Sequence, residues 1–171
     1  MPVDPNTLML VSYPDPILKK IAKEIDPEDK NVQAVAKKMI EIMFEENGLG
    51  LAAPQVGLSW RLFVTRVPED EEVGIAWLNP TLEVVCDKTE IDEEGCLSLP
   101  EIRGGVRRPI GIKISGHDFD GKKMSAQSDK FIARIWQHEN DHLDGVLITE
   151  KMSAMDRLVN RRRIRDLERA R

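Results

Sequence analysis

Asp129-Lys130-Phe131-Ile132-Ala133-Arg134-Ile135-Trp136-Gln137-His138-Glu139-Asn140-Asp141-His142-Leu143-Asp144-Gly145 carries the strongest local signal in the chain. Through Leu143 it reads as a helix with Phe131, Ile132, Ile135 and Trp136 on its apolar side. The two histidines are four residues apart and so stand one turn above each other on one face. Two imidazoles placed this way converge on one divalent ion at about 2.0–2.1 Å. Glu139 falls between them in angle, beside an ion rather than on it. There a carboxylate can take a proton from water held by the metal. Two of only three histidines in the chain lie in this pattern, which argues against a pair of ordinary surface histidines.

Outward from this helix the pattern changes. Between Arg61 and Ser128 the apolar residues come in short, often alternating runs: Leu62-Phe63-Val64, Ala76-Trp77-Leu78, positions 82–85 and positions 110–114. Asp120-Gly121 predicts a hairpin turn between strands over 112–119 and 122–126. Upstream, Val32, Val35, Ala36, Met39, Ile40, Met43 and Phe44 share one face of a helix over 31–47, and Asn47-Gly48 supplies its stop. Pro14, Pro16 and Leu18 open a short helical stretch through Lys23. Downstream, 146–149 reads as a short strand and 153–170 as a terminal helix, which Met155, Leu158 and Val159 would anchor on the body. Strands bracketed by helices, without a βαβ rhythm, indicate an α+β fold with antiparallel sheet. At 171 residues the expectation is one domain over 1–171, with a basic C-terminal helix over 153–171.

Composition narrows the class. Apolar residues at 41 % and charged residues at 32 % are those of a folded protein rather than a disordered chain. Aromatics are only 5 %, so aliphatic side chains and Met must fill the core. No apolar run approaches the roughly 20 residues of a membrane span. The segment from Met1 to Lys20, with Asp4, Asp15 and several prolines, lacks the basic-then-apolar layout of a secretory signal. The expected location is cytoplasmic, and two cysteines, Cys86 and Cys96, suit a reducing compartment. The net charge of −5 is unevenly spread: seven arginines from Arg157 to Arg171 face only Asp166 and Glu168. Such a tail either touches a polyanion or forms a solvated helix paired with the acidic body.

The helix supplies two ligands, and an open catalytic site needs a third. A histidine six residues after His142, as in metzincins, is excluded because that position is Ile148. Glu150 and Glu168 are available but lie in no distinctive context. Cys96 does, in Glu94-Gly95-Cys96-Leu97-Ser98-Leu99-Pro100, a turn-like segment presenting a thiol. A further segment, Gly48-Leu49-Gly50-Leu51-Ala52-Ala53-Pro54-Gln55, is rich in small residues that let backbone approach a ligand closely. It lacks the Gly-Lys-Ser/Thr ending of a phosphate loop.

With the helix, these two segments resemble the signature of the peptide deformylase family, which carries GφGφAAxQ, EGCLS and QHExDHLxG in this order. Every motif position matches, and the resemblance extends over nearly the whole chain. It implies antiparallel sheets around a central HExxH helix, with N-terminal helices and a C-terminal helix. It also implies Cys96, His138 and His142 as metal ligands and Glu139 as general acid and base. Gln55 and the backbone N–H of Leu97 would be donors to the developing oxyanion. The implied substrate is the N-formyl-methionyl end of a nascent peptide, and the products are formate and a free amine.

A thiolate ligand makes the site electron-rich. The set suits Zn2+, Fe2+, Ni2+ and Co2+ alike, and the resemblance favours Fe2+. Formyl carries only hydrogen beyond its carbonyl, so a wall near Gly50 and Leu97 would exclude acetyl. Leu49, Phe131 and Ile135 are candidates for the methionine slot, with Arg103 at its rim. The basic tail would bring the enzyme to ribosomal RNA. Two rivals remain: another HExxH hydrolase cleaving internal peptide bonds, and a closed structural metal site. The latter would need a fourth Cys or His, and Cys86 and His117 have no ligand-like spacing.

Overall fold

The computed structural model describes residues 2–170; Met1 and Arg171, which the sequence reading placed in the N-terminal segment and the basic tail, lie outside the described residues. Among the described residues five strands form one antiparallel sheet in the order β1-β2-β3-β4-β5: β1 Gly50–Ala52, β2 Leu62–Val67, β3 Asp70–Cys96, β4 Leu99–His117 and β5 Lys123–Ser128. Where several sheets were expected, a single sheet suffices because β3 and β4 are long. The first part of β3 pairs with β2 and the rest with β4, and register shifts after Leu78, Val84 and Cys86 bend the ladder. The β3–β4 hairpin closes at Cys96 opposite Leu99, so the thiol stands at the hairpin tip. That tip is pinned: Tyr13 N donates to Ser98 O at 2.9 Å and Ser98 Oγ to Val11 O at 2.7 Å.

Among the described residues three α-helices flank the sheet: α1 Lys30–Glu45, α2 Phe131–Leu143 and α3 Ala154–Arg169. Asp29 caps α1 by accepting from Asn31 N, and Asn47 ends it by taking a φ of +54°, as the Asn-Gly stop requires. Its buried face (Val35, Ala36, Met39 and Met43 fully enclosed) packs with Leu51, Leu62, Val64, Ala76 and Leu78. Helix α2 packs through Ile132, Ala133, Trp136 and Leu143 against Phe63, Trp77, Ile112 and Ile114. Trp77 and Trp136 meet edge-on, with centroids 6.2 Å apart. Gly145, with φ +74°, then lets the chain leave α2 where a Cβ would stand 2.5 Å from Lys19 O.

Three local expectations are corrected. The predicted strand over 146–149 is a 3-10 turn, Ile148–Glu150, whose Glu150 carboxylate accepts from Leu147 N at 2.8 Å. Leu147 and Ile148 are buried in a third apolar cluster rather than laddered. The stretch from Pro16 to Lys23 is helical only over Pro16–Lys19, and Lys23 instead bridges Trp60. Met155, Leu158 and Val159 do not anchor α3; all three are more than half exposed. The helix turns a polar face inward at its start. Asp156 Oδ2 accepts from Gly105 N at 3.0 Å, and buried Asn160 donates to Arg103 O at 2.8 Å. Ile164 and Leu167 complete the contact.

Candidate metal centre

The hairpin tip and α2 bring Cys96, His138 and His142 together, with one ligand atom from each lying within 4.8 Å of the others. Cys96 Sγ is 3.5 Å from His142 Nε2. A tetrahedral ion with S at about 2.3 Å and N at about 2.05 Å has an S–N edge of roughly 3.6 Å, so the spacing fits. The two rings are 5.1 Å apart at 69° to each other, converging rather than stacking. Soft thiolate plus two imidazoles is a donor set for a transition metal.

The second ring nitrogen of His138 is engaged. Its Nδ1 lies 2.9 Å from Glu94 Oε1. A carboxylate only accepts, so Nδ1 carries the proton and Nε2 is left for the metal. Glu94 is itself gripped by Arg108, through Nε to Oε2 at 2.6 Å and Nη2 to Oε1 at 2.9 Å, and by Arg134 Nη1 at 2.7 Å. Arg108 also reaches Asp141 Oδ2 at 2.9 Å. Burial works against the Glu94 charge, but the hydrogen bonds and charges of Arg108 and His138 outweigh it and hold the carboxyl far below its ordinary value. Burial likewise works against a proton on His138, yet with no metal competing for Nε2 its bonds to Cys96 and Glu94 raise its pKa to about 10, and a bound metal would take the place of that Nε2 proton. His142 goes the other way, pushed down by burial and by the cations of His138 and Arg108.

Glu139 is buried, and its Oε1 has no hydrogen-bond partner among the described residues. Burial pushes its carboxyl up to about 7, with His138 pulling against the shift. A carboxyl poised there can both take and return a proton near neutral pH. Gly50 makes room for it: a Cβ at that position would stand 2.7 Å from Glu139 Oε2. Gln55, also buried, accepts from Ala52 N at 2.9 Å through Oε1, which aims its Nε2 at Cys96 Sγ, 3.5 Å away, and Ser98 Oγ, 3.3 Å away.

These side chains line one cavity of about 350 Å³. It holds all of the residues singled out from the sequence except His142: Leu49, Gly50, Gln55, Cys96, Leu97, Arg103, Phe131, Ile135, His138 and Glu139. His142 lies behind the cavity wall, 1 % exposed. Leu49 and Phe131 are about half exposed, so the slot is open on one side. Arg103 sits at the rim, pairing with Glu93 at 3.4 Å. Sequence reasoning missed Arg108 and the supporting roles of Glu94, Asp141 and Arg134. Glu94 and Asp141 lay within the motifs, whereas Arg108 meets Glu94 across 14 residues with no local signal.

Residues 7–158 match the family model described as polypeptide deformylase. The chain belongs to the polypeptide deformylase family. A peptide deformylase of Thermotoga maritima is 40% identical over 157 residues, 92% of this chain and 94% of that protein. Among solved structures, a plant peptide deformylase superimposes with a TM-score of 0.89 at 38% identity, covering 95% of this chain and 90% of the other. A Plasmodium falciparum peptide deformylase bound to an inhibitor gives 0.85, also at 38% identity, covering 94% and 99%. The activity of the polypeptide deformylase family is hydrolytic removal of the N-formyl group from nascent polypeptides, and its members are metal-dependent. The α+β architecture agrees with these deformylase structures. No helix among the described residues is long and apolar enough to cross a membrane.

Proposed function

We propose that residues 1–171 act as one catalytic domain in which Cys96, His138 and His142 hold a single divalent ion for deformylation of N-formyl-methionyl peptides. The observation that carries this is the convergence of these three ligand atoms beside the buried Glu139, whose Oε1 has no hydrogen-bond partner among the described residues. When bound, the metal supplies Lewis acidity toward the formyl oxygen and lowers the pKa of water toward about 7. Glu139 accepts the proton of the attacking water and passes it to the departing amine, so formate and a free N-terminus result. Gln55 Nε2 and the Leu97 N–H donate to the former carbonyl oxygen; one such preset donor is worth roughly 3–4 kcal/mol of barrier. Gly50 and Leu97 crowd the formyl hydrogen, while Leu49, Phe131 and Ile135 receive the methionine side chain and Arg103 borders it.

Fe2+ is the proposed ion, and Zn2+, Ni2+ and Co2+ also suit the ligands. The proposed location is the cytoplasm, with the arginine-rich α3 meeting ribosomal RNA. Among the described residues, Arg157, Arg161, Arg162, Arg165 and Arg169 form no ion pair, which favours an external anionic partner over the acidic body. The test is formate release from a formyl-methionyl tripeptide by anaerobically prepared protein, before and after chelation, alongside an acetylated control and an internal-bond substrate. Formate release that chelation abolishes, with both controls inert, is expected. Internal cleavage, or no formate from metal-loaded protein, would overturn the reading.

A further inference from the structure

Arg66, on β2, stands where the chain enters β1 from Gly48. Its backbone N–H donates to Leu49 O at 3.4 Å, a long bond at the open end of the ladder. Its side chain continues the contact. Nε donates to Gly48 O at 2.8 Å and Nη1 to Glu71 O at 2.9 Å, while the guanidinium lies over the Phe44 ring, 4.6 Å from its centroid. Gly48 N in turn donates to Met43 O at 2.9 Å. One side chain thus ties the segment before β1 to the end of α1 and to the start of β3.

Strand β1 is the outermost strand of the sheet, and Gly50 brings it to the wall of the main cavity. The bond from Arg66 to Leu49 fixes which backbone groups point there. In an antiparallel ladder, hydrogen-bonded and non-hydrogen-bonded pairs alternate. With Leu49 bonded to Arg66, the next pair, Gly50 and Thr65, turns its N–H and C=O groups outward. Gly50 therefore presents its N–H and C=O along the outer edge, away from β2. Ala52, two residues on, turns the same way, and its N–H is taken by Gln55. An extended formyl peptide can pair with the Gly50 groups as an added strand. A strand of only three residues is too short to hold that edge by its own ladder.

We infer that Arg66 is a positioning residue for substrate binding: by clamping Gly48 it holds the Gly50 N–H and C=O where the peptide main chain meets them. This rests on the proposed deformylase reading. Both clamp acceptors are backbone carbonyls, so the hold does not change with the protonation of a neighbour. The guanidinium fork reaches both at once, which a single ammonium does not. Releasing Gly48 adds no atom near Glu139. The carboxylate keeps the space that Gly50 gives it, and the effect falls on binding rather than on proton transfer.

The test uses wild-type protein, Arg66→Ala and Arg66→Lys, all metal-loaded, with a formyl-methionyl tripeptide. The readouts are kcat, KM and, independently of turnover, the Kd of the deformylated tripeptide by calorimetry, each with and without millimolar guanidinium ion. Arg66→Ala should raise KM and Kd about tenfold and keep kcat within about threefold of wild type, the mark of binding lost equally from ground and transition states. Guanidinium ion, which refills the place of the missing head group, should lower both constants toward wild type and leave wild type itself unmoved. Arg66→Lys, able to hold one carbonyl, should fall between the two. A merely structural role would lower the thermal midpoint and the active fraction, so that kcat falls while KM stays. If Arg66→Ala does not fold, Arg66→Lys carries the test, with KM and Kd raised about threefold and kcat kept. Unmoved KM and Kd in the folded variants, a loss confined to kcat, or a raised KM in Arg66→Ala that guanidinium leaves in place, overturns the inference. Wild-type failure on the tripeptide would instead overturn the deformylase reading.

Discussion

Glu94 Oε1 and His138 Nδ1 lie 2.9 Å apart, and this contact decides which ring nitrogen of His138 faces the metal position. The carboxylate accepts from four donors in all, two of them from Arg108 and one from Arg134. It is thus fixed in place before it fixes the imidazole. Glu94→Gln should weaken metal binding about 10–100-fold, the usual effect of removing a partner behind a ligand. The check is metal retained after dialysis against graded chelator, wild type beside variant, with folding followed by circular dichroism. Equal retention in a folded variant would show that His138 is oriented by something else.

The same cluster predicts an acid response. Glu94 and Arg108 are 6 % and 3 % exposed, so removing one leaves a buried charge, at a cost of about 3–5 kcal/mol. The Glu94 carboxyl is held well below its ordinary value of 4.5. Its ion pairs therefore contribute stability in full above that value and lose it as the pH falls toward the lowered folded-state pKa. Urea unfolding should show wild type losing stability progressively as the pH falls below about 4.5. Arg108→Met should start lower at neutral pH and fall less over that range. Parallel curves for the two proteins would assign the acid response to other carboxylates.

Gly50 tests the space given to Glu139. A Cβ there would lie 2.7 Å from Oε2 and 2.9 Å from Cγ of Glu139. Gly50→Ala should displace the carboxylate by a fraction of an ångström and cut kcat about a hundredfold. Gly50 has no positive φ for alanine to strain, so the unfolding midpoint should move little. A variant with near-normal kcat would mean that Glu139 shifts freely or that its position is not critical.

Much of the site was legible because its chemistry is local in sequence. His138 and His142 are one helical turn apart, and that spacing survives in any helix. The same holds for α1, where apolar periodicity and an Asn-Gly stop mark both the face and the end. Long-range pairing was not legible. Arg108 reaches Glu94 only because β3 and β4 run antiparallel with Glu90 opposite Arg108, a register that no local pattern encodes. The face of α3 was misjudged for a related reason. Met155, Leu158 and Val159 have core-like spacing, but hydrogen-bonding needs of the β4 backbone at Arg103 and Gly105 select Asp156 and Asn160 for the inward face. The motif around Cys96 gives Ser98 no evident role, because its role as a pin for the thiol-bearing turn depends on Val11, 87 residues away.

The inward face of α3 limits how ribosome binding can be tested. Ile164 and Leu167 pack into the third apolar cluster, Arg163 donates to Glu101 O at 3.0 Å and Glu168 accepts from the Tyr13 hydroxyl at 3.3 Å. Cutting the helix after Asn160 would expose apolar surface and confuse lost docking with lost folding. Arg157, Arg161, Arg162 and Arg165 are better targets because all are exposed and none forms an ion pair among the described residues. Changing these four together to Ser removes the charge and keeps the buried face. Each phosphate contact that is lost should lower the salt dependence of binding by nearly one unit of slope. The expected result is loss of co-sedimentation with ribosomes at low salt, while turnover of a short formylated peptide and the thermal midpoint stay close to wild type. A protein that still sediments with ribosomes after losing these four charges would end the tethering proposal and leave α3 as a cover for the hairpin.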